Sequence, residues 1–288
     1  MFGAPRSGTT YLQQLVRSLK HTGGKIGQIL PVATFHLVNQ DLTVQQYNAL
    51  CGSLRRGIQI YLSGEYNSRF RALEDWWQAP TQGHRFWHVI RQGARPQPHL
   101  FVYKEPFLCL APEFALDSLP DARLIYIYRD GRDVANSLVE SYDVLDDQKL
   151  THLRSAEARL GRRYDERYIP WWVEEGREEE FVDSSPYVRA IWLWTYMVRR
   201  CCRYFEDASL SEQLLRIRYE ELVQNPYVVG REILNYLEKE STRAFRQHLN
   251  RARTSSVGKY KRRPSTEIHS AEAVAAPMLK EIGYDRMT

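Results

Sequence analysis

The chain has 288 residues, 43% of them hydrophobic and 26% charged, with 4 cysteines. That composition describes a globular chain with one full core and excludes a disordered or fibrous one. No run of 18 apolar residues exists, so no membrane-spanning helix is expected, and Met1-Phe2-Gly3 leaves no room for a signal peptide. The cysteines (Cys51, Cys109 and the adjacent Cys201-Cys202) form no C-x-x-C pair and have no histidine at zinc spacing. Reduced thiols and a cytoplasmic location for the chain as it stands are the expectation.

The first element met along the chain is Gly3-Ala4-Pro5-Arg6-Ser7-Gly8-Thr9-Thr10, a G-x-x-x-x-G loop followed by hydroxyl residues. Leu12, Leu15, Val16 and Leu19 follow at helical spacing, so the loop feeds a helix. Glycines let backbone N–H groups turn inward on an anion, and the helix dipole adds to the attraction. Loops that bind nucleoside triphosphates carry lysine after the second glycine; here Thr9 stands there and the basic side chain has moved back to Arg6. That substitution suits a nucleotide whose 5′ group is not a triphosphate. A glycine-bearing turn that only caps a helix is the structural alternative. The strand that should precede the loop has only Met1 and Phe2, against about five residues usual for a strand; the chain starts upstream or this strand is short.

Leu100 to Tyr103, Leu124 to Tyr128 and Leu214 to Tyr219 are short apolar and aromatic runs of the kind buried parallel strands show. The second opens Tyr128-Arg129-Asp130-Gly131-Arg132-Asp133, with Ser137 eight residues after Arg129. An arginine at the carboxyl end of a parallel strand stands where such sheets bind ligands, and its planar fork suits a phosphate. Arg129 and Asp133 pairing on a surface turn is the plainer alternative. From 138 to 200 the sequence becomes long, charged and helix-like, with Trp171-Trp172 inside it, and suggests a helical insertion. Val188, Ile191, Thr195, Val198, Cys202 and Phe205 mark the buried face of a long helix, with Trp192 and Trp194 expected to fill the core. From Ser241 to Thr266 there are eight basic residues and no acid, so the formal net charge of +5 is concentrated there and implies a local anionic partner. The expected fold class is α/β, a P-loop-like three-layer sandwich with a central parallel sheet flanked by helices, forming one domain over 1–288 with the insertion at about 138–200.

Taken together, these motifs resemble the sulfotransferases that use 3′-phosphoadenosine 5′-phosphosulfate (PAPS), in particular their carbohydrate, tyrosyl-protein and bacterial branches. Pro5 to Thr10 matches the family's P-[KR]-S-G-T-T loop, and the Arg129 to Ser137 spacing matches its 3′-phosphate motif. Tyr219-Glu220-Glu221-Leu222 is similar to its Y-E-[DE]-L segment, Gly258-Lys259-Tyr260-Lys261 to its closing G-x-[WY]-[KR] loop, and Met278 to Asp285 to its C-terminal helix end. The resemblance implies PAPS as co-substrate, no metal, and sulfuryl transfer by in-line displacement to a hydroxyl or amine of an acceptor. It places Arg6, Ser7, Gly8, Thr9 and Thr10 at the 5′-phosphosulfate, Arg129 and Ser137 at the 3′-phosphate, and Tyr219 near the adenine. The loop of Gly258, Lys259, Tyr260 and Lys261 would fold over the 3′-phosphate side.

Arg6 and Lys104, the latter in a Lys104-Glu105-Pro106 segment like the family's K-x-P, are implied as catalytic cations. The proton acceptor is less defined. Histidine two residues after the lysine, used by some members, is Pro106 here, and the glutamate others carry after the first helix is absent from Gly27-Gln28-Ile29. Glu105 ranks first, then His36, with Glu65 a further candidate. An ATP-dependent kinase with Asp130 on a metal, and a non-catalytic nucleic-acid binder using residues 243 to 263, are the competing functions. Thr9 argues against the first, and the sparse aromatics of the basic segment argue against the second. Neither the acceptor nor the oligomeric state is legible at this level.

Overall fold

The computed structural model describes residues 1–23, 29–62, 100–142, 145–152, 160–207, 210 and 212–285. Glu65, Gly27 and Gln28 lie outside them. Strand β1 (Thr22–Gly23) pairs in parallel with β2 (Leu100–Phe101), and β3 (Leu124–Tyr128) pairs in parallel with β6 (Leu214–Arg218). The two pairs are joined by the first residues of the chain. Phe2 donates to Ile125 O at 3.0 Å and accepts from Ile127 N at 2.9 Å, while Met1 O accepts from Glu105 N at 3.1 Å. The backbone N of Met1 donates to Tyr103 O at 2.8 Å. Met1 and Phe2, with one isolated bridge from Phe2 to Tyr126, therefore lie between the two pairs in the place of a central strand, and the phosphate-type loop follows directly.

The alternation of β3 builds three layers from one strand. Ile125 and Ile127 face a core with Leu12, Leu15 and Val16 of α1 (Thr9–Arg17), and with Ile217, Leu222, Val229, Ile233 and Phe245. Leu124 and Tyr126 face the other way, into a larger core with Phe2, Val134, Leu138, Ile191, Trp194, Ala271 and Ala275. Burying each such isoleucine or leucine contributes about 2 kcal/mol, so neither layer can be lost without the sheet.

Two expectations are corrected. The region 138–200 is not purely helical: Gly161–Tyr164 and Arg167–Pro170 form an antiparallel hairpin, β4 and β5. Nor is its last part an insertion. The long helix Pro186–Asp207 packs against Gly131–Tyr142 and against the C-terminal helix Ser265–Glu281, in the middle of the larger core. Its periodicity is as expected, with Val188, Ile191, Thr195, Val198, Cys202, Trp192 and Trp194 buried. The third strand ends one residue early, at Arg218, because Tyr219 already begins the helix Tyr219–Gln224. Among the described residues no helix is long and apolar enough to cross a membrane.

Gly3 is required by close approach: a β-carbon there would lie 2.0 Å from Ile127 O, a backbone atom held in the sheet. Gly3→Ala is expected to destabilise the protein by about 3 kcal/mol, at the upper end of overpacking costs because backbone must move. Urea denaturation measures it, and a wild-type midpoint would contradict this account of the central strand.

Candidate active site

The loop after the central strand is wound tightly. Ser7 N donates to Ala4 O at 3.0 Å, Arg6 holds a left-handed φ of 72°, and Gly8 follows at φ 96° as the N-cap of α1. Left-handed residues on either side of Ser7 turn the chain into the helix start, where the first N–H groups of a helix attract an anion. Gly8 is also packed face to face with Tyr219, whose ring would lie 2.5 Å from any β-carbon there. Ser7 is fully buried and its hydroxyl has no hydrogen-bond partner among the described residues. Thr9 is buried, while Thr10 and Arg6 are exposed.

Folding brings the second motif onto the first. Arg6 Nε donates to Ser137 Oγ at 2.8 Å, and its guanidinium lies 5.4 Å from the centre of the Tyr142 ring. Arg129, buried at 5% exposure, donates to Arg6 O at 3.1 Å and to Ser256 O at 2.5 Å, and stacks 4.6 Å over Tyr219. Tyr219 in turn bonds Ser256 Oγ through its hydroxyl at 2.8 Å. Its ring is thus a wall between the loop glycine and the arginine. Arg129 Nε is buried without a partner, a second orphaned donor beside that of Ser7. Two unsatisfied buried donors, each costing about 1 to 3 kcal/mol when unpaired, fit an anionic ligand.

Arg129 and Asp133 do pair, at 3.6 Å, but in the interior rather than on a surface turn. Asp133 has a role that its place in the sequence does not show. Its carboxylate accepts from Gly258 N at 2.6 Å and from Tyr260 N at 3.1 Å, so it pins the basic loop beside the site. Burial pushes its carboxyl above the ordinary value, opposed by the Gly258 N–H and by Arg129. Tyr260 points inward, buried under the Arg132 guanidinium at 4.6 Å, and serves as an anchor, whereas Lys259 and Lys261 are exposed. Gly258 permits the turn at φ 74°. Behind them Glu220 accepts from Asp130 N at 3.1 Å and from the Tyr284 hydroxyl. The Y-E-E-L segment therefore carries a ring on the site side and a buried acceptor on the scaffold side.

On the other flank of the central strand stands Lys104, half-buried and without a hydrogen bond among the described residues. Its neighbour Glu105 has no exposed surface and caps the 3₁₀ turn Pro106–Leu110, accepting from Phe107 N at 3.1 Å. That is a scaffold role in place of the proton acceptor expected of it: Oε1 is committed to the Phe107 N–H, and Oε2 is buried with no partner among the described residues. Burial pushes its carboxyl up from 4.5, against the Phe107 N–H and Lys104. His36, in the helix Val32–Leu37, is half-buried, accepts at Nδ1 from Trp171 Nε1 at 2.9 Å, and is held neutral because burial lowers it to about 4.

A sequence model of the group described as the sulfotransferase family matches residues 1–183. The chain belongs to the sulfotransferase family. The matched span holds the loop, Lys104, Arg129 and Ser137, and ends before Tyr219 and the 258–261 turn. The fold is similar to that of a sulfotransferase domain from the curacin biosynthetic pathway, with 15% identity and a TM-score of 0.55 over 96% of this chain and 95% of that one. Also similar are a sulfotransferase of Mycobacterium avium (15% identity, TM-score 0.48, 97% of this chain and 75% of that one) and a sulfotransferase domain of the Synechococcus PCC 7002 olefin synthase (17%, 0.47, 95% and 92%). No curated protein matches the chain.

For this sulfotransferase, Asp133→Asn leaves one of two buried N–H donors facing an amide NH₂, and a loss of about 2 kcal/mol in urea denaturation is expected, with faster protease cleavage near 258–263. Unchanged stability would remove Asp133 as the anchor. Glu105 gives a pH test. Its folded value is raised above 4.5, so the folded state holds the proton more tightly and wild-type stability falls as pH rises from 4.5 through the raised value. Glu105→Gln keeps an oxygen for Phe107 N–H and removes the buried charge. Its melting temperature relative to wild type is expected to increase between pH 4.5 and 7.5; a constant difference would refute the assignment.

Proposed function

We propose that the protein transfers the sulfuryl group of PAPS to a hydroxyl or amine of an acceptor. The observation that carries this reading is the 2.8 Å contact between Arg6 and Ser137, which sets the loop and the strand-end motif beside each other and so supports their reading as two adjoining anion sites. PAPS has two anionic ends, and its 5′-phosphosulfate would lie in the loop on the N–H groups of residues 8–10 at the helix start and on the Ser7 hydroxyl. Its 3′-phosphate would meet Arg129 and Ser137, with Lys259 and Lys261 of the pinned turn supplying further positive charge. The orphaned Ser7 hydroxyl and Arg129 Nε support that placement.

In the transfer, an acceptor oxygen forms its bond to sulfur as the bond from sulfur to the 5′-phosphate oxygen breaks, and the electron pair goes to that phosphate. Charge therefore grows on the bridging oxygen and is spread over the equatorial ones. Arg6 within the loop and Lys104, next to Tyr103 and Glu105 that pair with Met1, are the cations proposed to stabilise that charge. The acceptor proton passes to water as the displacement proceeds, and the electron pair of the broken sulfur–oxygen bond stays on the 5′-phosphate.

Adenosine 3′,5′-bisphosphate is expected to raise the melting temperature in a concentration-dependent way, and ATP with Mg²⁺ to leave it unchanged. The reverse pattern would favour a kinase. Lys104→Ala is expected to reduce the single-turnover rate of sulfate release from PAPS about 100-fold, by analogy with the loss of one preorganised donor, while altering bisphosphate affinity less than threefold. Equal rates would remove Lys104 from the chemistry.

A further inference from the structure

His36 packs on the 3₁₀ turn Pro106–Leu110, which follows Lys104 in the chain. Its ring centre is 6.2 Å from that of Phe107, three residues beyond the lysine, and 6.2 Å from that of Trp171, which meets it edge-on. Trp171 is braced by Tyr196 at 5.5 Å on the long helix. His36, Phe107 and Trp171 are all half-buried, so they form an aromatic recess that reaches the surface.

The hydrogen bond within this recess decides what the imidazole can do. An indole nitrogen only donates, so the Nδ1 of His36 that receives it holds a lone pair. A neutral imidazole has one N–H, and with Nδ1 accepting, the proton sits on Nε2. His36 therefore offers a donor on its remaining nitrogen and has no lone pair there to take a proton from an alcohol. We propose that His36, Phe107 and Trp171 form the acceptor subsite for a neutral ring alcohol, in which His36 binds the alcohol oxygen through Nε2–H and Trp171 is the positioning residue that sets the tautomer. The alcohol oxygen has two lone pairs: one receives Nε2–H and the other remains for sulfur. The aromatic walls offer the ring of the acceptor the faces and edges that aromatic pairs use. This inference rests on the sulfuryl-transfer reading, and it moves His36 from candidate base to donor.

The first test needs no turnover. In ¹⁵N-labelled protein, two-bond correlation spectra distinguish the two imidazole tautomers, and His36 is expected as the Nε2–H form. Trp171→Phe keeps the ring, removes the N–H, and is expected to bring in the Nδ1–H form; an Nδ1–H wild type, or a spectrum unchanged in the variant, overturns the proposal. The second test uses 2-naphthol as the acceptor with PAPS. Trp171→Phe is expected to lower kcat/KM about tenfold, the worth of one hydrogen bond, mainly through KM. His36→Gln, whose amide nitrogen can replace Nε2–H, is expected to stay within threefold of wild type, and His36→Ala to lose tenfold or more. Equal collapse of the Gln and Ala variants would make His36 a base and refute the donor role. Failure of 2-naphthol to bind or react, with the adenosine 3′,5′-bisphosphate shift intact, overturns the acceptor class alone; loss of that shift as well would strike the donor reading itself.

Discussion

The buried Asp133 carboxylate is the constraint on which the site depends. It lies in the interior with two backbone N–H groups and one guanidinium as partners, and a buried carboxylate without such partners would not stay ionised. The partners come from two distant parts of the chain. Gly258 and Tyr260 bring the basic C-terminal loop, and Arg129 brings the strand end together with the Arg6 carbonyl and Ser256 that it holds. One acid thus fixes the relative position of three segments more than a hundred residues apart.

Close contact is the second constraint, and it explains why the glycines stand where they do. Gly3 passes a backbone carbonyl of the neighbouring strand, and Gly8 lies on the Tyr219 ring, which itself carries the Arg129 guanidinium. A layered contact of backbone, ring and cation leaves no room for a side chain on the loop. It also keeps Arg129 against a surface that favours a cation even before an anion arrives. Rigid positioning of this kind is what an electrostatic mechanism needs, since charges that must be reoriented stabilise a transition state less than charges already in place.

The sequence carried much of the architecture because its signals are local. The loop, the helix Thr9–Arg17, the apolar runs of β3 and β6, and the buried face of the helix Pro186–Asp207 follow from spacing alone, and each is seen. The errors have local causes as well. The hairpin of β4 and β5 sits in a charged segment whose strands are only four residues each, too short to show alternation against a helical background. Tyr219 reads as the end of a strand because the apolar run does not reveal the turn into a helix. Glu105 looked like a base because it adjoins a lysine, yet its side chain points inward to cap the next turn, and direction is not written in adjacency.

Residue types and their order determined the class of ligand: a glycine loop with hydroxyls and no lysine, an arginine at a strand end, and a basic stretch without acids all ask for an anion. They also determined that a parallel sheet would carry these motifs at its carboxyl edge. Only the tertiary structure decided which side chains face that edge. It placed Asp133 under the basic loop, turned Tyr260 and Glu105 inward, and set Trp171 against His36 across 135 residues of chain. The physical reason is that burial and hydrogen-bond direction arise from packing between distant segments, so the protonation and role of a carboxylate or an imidazole are properties of its surroundings and not of its neighbours in sequence.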